Sequence, residues 1–170
     1  MALSLPPQTK YIVGNEACER FSFYGMRSIL TLYMTSVLLM SEKEAMEISH
    51  LFIALIYILP MLGAWIADRF LGRYHTILYV SIFYCIGHAV LALADLTGDI
   101  ETKRIILFTG LFIIAVGAGG IKPCVSAFVG DQAEGLRDKA LMTRIYAAFY
   151  WSINLGSFFS FLVVPWARQS

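Results

Sequence analysis

Apolar residues in this chain come in long unbroken blocks separated by short polar connections. The blocks fall at about 11–40, 48–67, 77–94, 105–129 and 145–167. A helix needs roughly 20 predominantly apolar residues to cross the hydrocarbon of a bilayer, and each block comes close to or exceeds that length. The second and fifth carry no formal charge, the third has His88 as its one basic side chain, and the fourth runs uncharged to Ile121 before meeting Lys122-Pro123. A transmembrane barrel needs segments of about ten residues with strict alternation, which these continuous runs lack. The pattern predicts an all-α fold of polytopic membrane helices with five transmembrane spans. Pro60 and Pro123 fall inside spans and predict local bends. Gly117-Ala118-Gly119-Gly120 and Gly156-Ser157 predict close helix contacts.

The first block is exceptional, because Glu16, Glu19, Arg20 and Arg27 interrupt it. On a helix these charges form one stripe: with Glu16 at 0°, Glu19 lies at about −60°, Arg20 at about +40° and Arg27 at about +20°. A charge at mid-membrane costs roughly 2.5–3.5 kcal/mol on insertion scales, so the stripe requires partners or a watery cavity. Lys122 supplies a further intramembrane cation on the fourth span.

Composition sharpens this picture. The chain is 58% hydrophobic and 15% charged, against about 25% charged in an ordinary soluble domain. A net charge of +1 with no basic run gives no reason to expect a nucleic-acid partner. Cys18, Cys85 and Cys124 have neither disulfide-framework nor zinc spacing. The start lacks the charged segment and short apolar core of a secretory signal, so the first block is expected to remain as a span. No metal-ligand spacing, nucleophile elbow or phosphate loop is present, so no enzyme, catalytic residue or metal is expected. Grouping Lys10, Arg69, Arg73, Arg137, Lys139 and Arg144 on one side leaves Lys43, Lys103, Arg104 and Arg168 on the other, which favours a cytoplasmic amino terminus. Lys103-Arg104 reads as an anchor at a helix end.

The charged groups have chemistry in them. A carboxylate beside a guanidinium in low dielectric stays ionised while paired and accepts a proton more readily once the cation is drawn away. Glu16, Glu19, Arg20 and Lys122 therefore supply competing partners of the kind a proton-coupled switch requires. The same groups also fit a structural ion network that locks two helices together.

Several stretches carry a resemblance. Glu16-x-x-Glu19-Arg20-Phe21-x-Phe23-Tyr24-Gly25 resembles the first-helix motif of the proton-dependent oligopeptide transporters, a family of the major facilitator superfamily. Gly119-Gly120-Ile121-Lys122-Pro123 resembles the family's fourth-helix block. Phe149-Tyr150-Trp151-Ser152-Ile153-Asn154-Leu155-Gly156 resembles its fifth-helix block. Gly63-x4-Asp68-Arg69-x2-Gly72-Arg73 resembles the superfamily's loop between helices two and three.

The resemblance implies a proton-coupled symporter of di- and tripeptides working by alternating access, with protons as coupling ion and no other cofactor. It assigns proton coupling to Glu16, Glu19 and Arg20. It assigns substrate binding to Tyr24, Arg27, Tyr57, Lys122, Tyr150 and Asn154, with Arg27 and Lys122 on the peptide carboxylate and Asn154 at its amino end. The context of His50 looks like the animal-type branch, where a histidine takes part in proton handling; a plain polar residue at a helix entrance is the alternative. His75 and His88 read as a loop-end residue and a packed residue. Phe23 stands where many members have tyrosine, and a changed side-chain preference is expected there.

The resemblance implies that residues 1–170 form part of an amino-terminal six-helix bundle, expected in a plasma membrane or bacterial inner membrane. The carboxy-terminal half of the transporter is an expected partner, beside the peptide and the bilayer, and the chain alone is not expected to transport. The alternatives are a standalone structural or interaction membrane protein, or a proton-coupled carrier of another small substrate such as nitrate.

Overall fold

The computed structural model describes residues 5–134 and 139–169, which form five long helices and no strand among the described residues. Helix α1 spans Thr9–Ser36, α2 Glu42–Ile66, α3 Gly72–Leu93, α4 Ile100–Glu134 and α5 Lys139–Gln169. Arg137, expected in a polar connection, lies outside the described residues, as does the side chain of Arg168.

Local chemistry sets the boundaries. The apolar block at 11–40 predicts a helix to its end, but α1 stops at Ser36 and Leu39 turns to a φ of 53°. The backbone closes the helix there, the Met40 N–H donating to the Met34 carbonyl at 3.0 Å, and the Arg104 guanidinium donates to the Leu38 carbonyl at 3.3 Å, placing a cation at the negative end of α1. Arg104, read from sequence as an anchor at a helix end, makes this contact near the start of α4. Ser41 then opens α2 with a capping box: its hydroxyl accepts from the Glu44 N–H at 3.3 Å, and the Glu44 carboxylate accepts from the Ser41 N–H at 3.0 Å.

The polar stretch at 68–73 reads as a loop but is helical. A π-helical turn, Ala67–Leu71, follows α2 directly, and Gly72 breaks the path with a φ of +73°. That left-handed conformation suits a residue without Cβ. Asp99 caps α4, its carboxylate accepting from both the N–H and the hydroxyl of Thr102 at 2.9 Å. The Thr102 N–H, followed by its hydroxyl, holds the Asp99 carboxyl below its ordinary range. Helices α2, α4 and α5 continue through Pro60, Pro123 and Pro165.

The chain divides into two compact units, one comprising residues up to Leu30 and from Ser126 onward, the other Thr31–Val125. In the second unit α4 is the centre, burying Leu107, Leu111, Ile114, Ala115, Ala118 and Ile121. Glycines permit this. A Cβ on Gly63 of α2 would lie 2.7 Å from the Gly120 Cα, and one on Gly117 would lie 2.9 Å from the Tyr84 backbone of α3. Such backbone-to-backbone approach replaces the hydrophobic drive that is absent between helices in lipid. At one end, the Tyr33 hydroxyl donates to Asp95 at 2.9 Å, tying α1 to the short 3₁₀ turn Ala94–Leu96.

In the first unit, the amino-terminal part of α1 lies against α5. A Cβ on Gly25 would meet Val164 Cγ2 at 2.7 Å, and one on Gly156 would meet the Arg20 Cβ at 3.1 Å.

Three helical stretches are long and apolar enough to cross a membrane: 42–96, 100–131 and 139–167. Helix α1 is not among them; its 28 residues include Lys10, Glu16, Glu19, Arg20 and Arg27.

Two predictions follow from these contacts and caps. Gly63→Ala drives a methyl into the α4 backbone and destabilises the protein by about 1–3 kcal/mol. Gly14 of α1 has no atom near the added methyl, so Gly14→Ala stabilises by about 1 kcal/mol through helix propensity. Unfolding midpoints in mixed micelles check this: equal shifts would contradict the glycine contact. For Asp99, a depressed carboxyl means that its contribution to the start of α4 is present above the unfolded-state value and is lost as pH falls through the lower folded value. The Thr102 amide shift in an NMR titration is expected to move with a midpoint below that of an unperturbed aspartate, and Asp99→Ala abolishes that transition.

Candidate functional site

The charged segment of α1 sits in the first unit. Helical spacing places Glu16 four residues before Arg20 and Glu19 immediately before it, so the guanidinium reaches both. Arg20 Nε lies 3.2 Å from Glu16 Oε1, and Nη2 pairs with Glu19 Oε2. The three residues are 4%, 5% and 6% exposed. Gly156 of α5 makes the cover possible, because any side chain there would strike the Ala17 carbonyl, the Arg20 Cβ and the Phe21 N–H.

Two carboxylates and one guanidinium sum to a formal charge of −1. Burying ions is costly, and a pair survives burial when its geometry is good and its remaining polar atoms are satisfied. Two carboxylates this close also repel each other, which favours a cation or a proton beside them.

Around this cluster the aromatic residues divide. Phe23 is 5% exposed, with the Arg20 Cζ 5.5 Å from its ring centroid. Tyr24 is half-buried, its ring 6.0 Å from that of Phe161 on α5. Tyr150 is exposed, and the Asn154 side-chain amide donates to the Tyr150 carbonyl at 2.9 Å. Arg27 is exposed as well, so the single charged stripe read from sequence separates into three covered groups and one open one. The reason is local. Phe23, Tyr24, Leu30 and Thr31 occupy the positions three and four residues away from Arg27, and none of them is a carboxylate that offsets desolvation.

The second unit holds the other expected residues. Lys122 is half-buried on α4, with its Nζ 5.2 Å from the ring centroid of Tyr57 on α2. The Tyr57 ring is itself 73% exposed. His50 is exposed seven residues earlier on α2, which places it within about 20° of Tyr57 around the helix. The structure thus brings together Glu16, Glu19 and Arg20 in one unit and Tyr57 and Lys122 in the other. Among the described residues, no three His, Cys, Asp or Glu side chains group as metal ligands.

The ring of Phe23 over Arg20 is the contact that sequence reasoning missed. Its signal was present as a three-residue spacing between an arginine and an aromatic on one helix, which reads equally as ordinary core packing.

Comparison with known proteins gives a consistent result. Residues 74–170 match the model of the POT family. The chain is 42% identical over 163 residues to "Peptide transporter family 1" of Drosophila melanogaster, covering 96% of this chain and 22% of that protein. It is 44% identical over 167 residues to "Solute carrier family 15 member 2" of Mus musculus, covering 97% of this chain and 23% of that protein. A crystal structure of a peptide transporter POT in complex with sulfate superposes with a TM-score of 0.85 at 33% identity, covering 96% of this chain and 32% of that one. The chain therefore spans between a fifth and a quarter of the length of these two curated relatives. Since the matched residues make up more than half of its length, this chain belongs to the POT family.

Proposed function

We propose that this chain forms the charged wall of a proton-coupled symporter for di- and tripeptides, within a transporter of the length its relatives have. The observation that carries this reading is the burial of two carboxylates, Glu16 and Glu19, against one guanidinium, Arg20. The names of the relatives, peptide transporters among them, supply the substrate class.

The proposed mechanism uses competition. A peptide carboxylate engages Arg27 and Lys122, while Asn154 meets the peptide's amino end and Tyr24, Tyr57 and Tyr150 line its path. The exposure of Arg27, Tyr57 and Tyr150 supports a role in contacting cargo. With the cations engaged, Glu16 or Glu19 takes up a proton, and the neutralised cluster permits closure. His50 handles protons at the entrance of α2. Every step is binding, proton transfer or conformational change, with protons as the coupling ion and no covalent catalysis.

Five spans suit this reading. The 55 residues of the 42–96 stretch, at 1.5 Å each, run about 80 Å, more than twice the hydrocarbon thickness, and the break at Gly72 divides them into two crossings. Helix α1 becomes the remaining span, since three of its charges are covered by protein. These spans form most of a six-helix bundle. The charge asymmetry places the amino terminus in the cytoplasm, and the plasma membrane or a bacterial inner membrane is the proposed site.

The test is uptake by the whole transporter in proteoliposomes under an imposed pH gradient. Glu19→Gln and Lys122→Ala are each expected to lower gradient-driven peptide uptake by roughly tenfold or more. Full gradient-driven uptake in either variant would sink the mechanism.

A further inference from the structure

We infer that Phe23 is a positioning residue: its ring holds the Arg20 guanidinium against Glu16 and Glu19 and so sets the acidity at which the symport is driven. This rests on the proton-coupled reading given above and departs from the expectation that Phe23 tunes side-chain preference.

The geometry is that of a three-sided clamp. The Arg20 Nε faces Glu16 at 3.2 Å, and Nη2 faces Glu19. The Arg20 Cζ lies 5.5 Å from the Phe23 centroid, within the roughly 6 Å over which a cation is drawn to an aromatic face. The ring is fixed in turn, being buried and set edge-on to Tyr24 at 5.4 Å and 75°. A guanidinium directs its N–H donors outward in its plane and leaves its flat face without them. An aromatic ring at that distance attracts the cation and offers no acceptor that competes with the carboxylates. Removing the ring leaves the edge contacts in place but frees the cation to tilt, so the carboxylates hold their charge less firmly.

Other titratable groups stand around the clamp. On α1 these are Cys18, Tyr24 and Arg27, the last four residues beyond Phe23. Helix α5 presents the buried residues Ser152, Gly156 and Ser160, and has no titratable side chain from Trp151 to Ala167. The part of α4 in this unit contributes Asp131. Lys122 of α4, in the other unit, is the cation already assigned to the cargo.

The experiment measures the pH profile of peptide uptake by the whole transporter in proteoliposomes. In parallel, the protonated-carboxyl stretch of the purified protein is titrated by infrared difference spectroscopy. Phe23→Leu is expected to move the pH of half-maximal uptake and the carboxyl midpoint upward by about one unit. KM values for peptides of differing side chains should change together or not at all. Phe23→Met, which keeps volume without a ring, is expected to behave the same way, and Phe23→Tyr, which keeps the ring, should restore the wild-type profile. An unmoved carboxyl midpoint in both ring-less variants overturns the inference, as does a KM change selective for peptide side chain, which would make Phe23 a pocket wall. If the wild-type protein lacks proton-driven uptake, the proposed function fails, and the carboxyl titration still decides the role of Phe23.

Discussion

The pairing of one buried guanidinium with two buried carboxylates imposes the strictest condition on this fold. Ions in a low-dielectric interior are tolerated only when their partners are fixed, because a displaced partner leaves an uncompensated charge. Arg20 is fixed from its own helix by Glu16 and Glu19, which stand at spacings that an α-helix brings into reach. Three interacting groups on one helix need no long-range folding event to find one another. What remains for the tertiary structure is to exclude water, and this falls to α5.

That exclusion depends on the absence of side chains as much as on their presence. Gly156 lets the α5 backbone come against the Ala17 carbonyl and the Arg20 Cβ. Elsewhere Gly63, Gly117 and Gly120 let α4 approach α2 and α3 with almost no intervening layer. In a bilayer, apolar side chains gain little by leaving lipid for protein, so contact area and dispersion must hold helices together. Glycine gives up some helix propensity in exchange.

Much of this was legible in the sequence. Continuous apolar runs predict the helices, and the charge spacing predicts the Glu16–Arg20–Glu19 pairing. The errors fall where polar chemistry overrides periodicity. At 68–73, charged residues read as a loop, yet the π-helical turn keeps the chain helical up to Gly72. At 36–40, apolar residues read as a continuing helix, yet the backbone turns at Leu39 and closes back on Met34, with Arg104 bonded to the Leu38 carbonyl from a distant position. Arg27 shares the angular stripe of the other charges but lacks their local partners, and angle alone carries no information about burial. Phe23 was legible as an aromatic and not as a partner of Arg20, because hydrophobic packing and cation–π contact present the same residue at the same spacing.

Two carboxylates on one guanidinium behave differently from a one-to-one pair. A one-to-one buried ion pair is electrically complete, and a proton arriving there breaks it. Two carboxylates beside one guanidinium are different: they repel each other, and a proton on either relieves that repulsion while the other keeps its contact with Arg20. The Gly156 backbone of α5 and the Phe23 ring stand against the same Arg20 side chain, so its surroundings constrain its approach to both carboxylates at once.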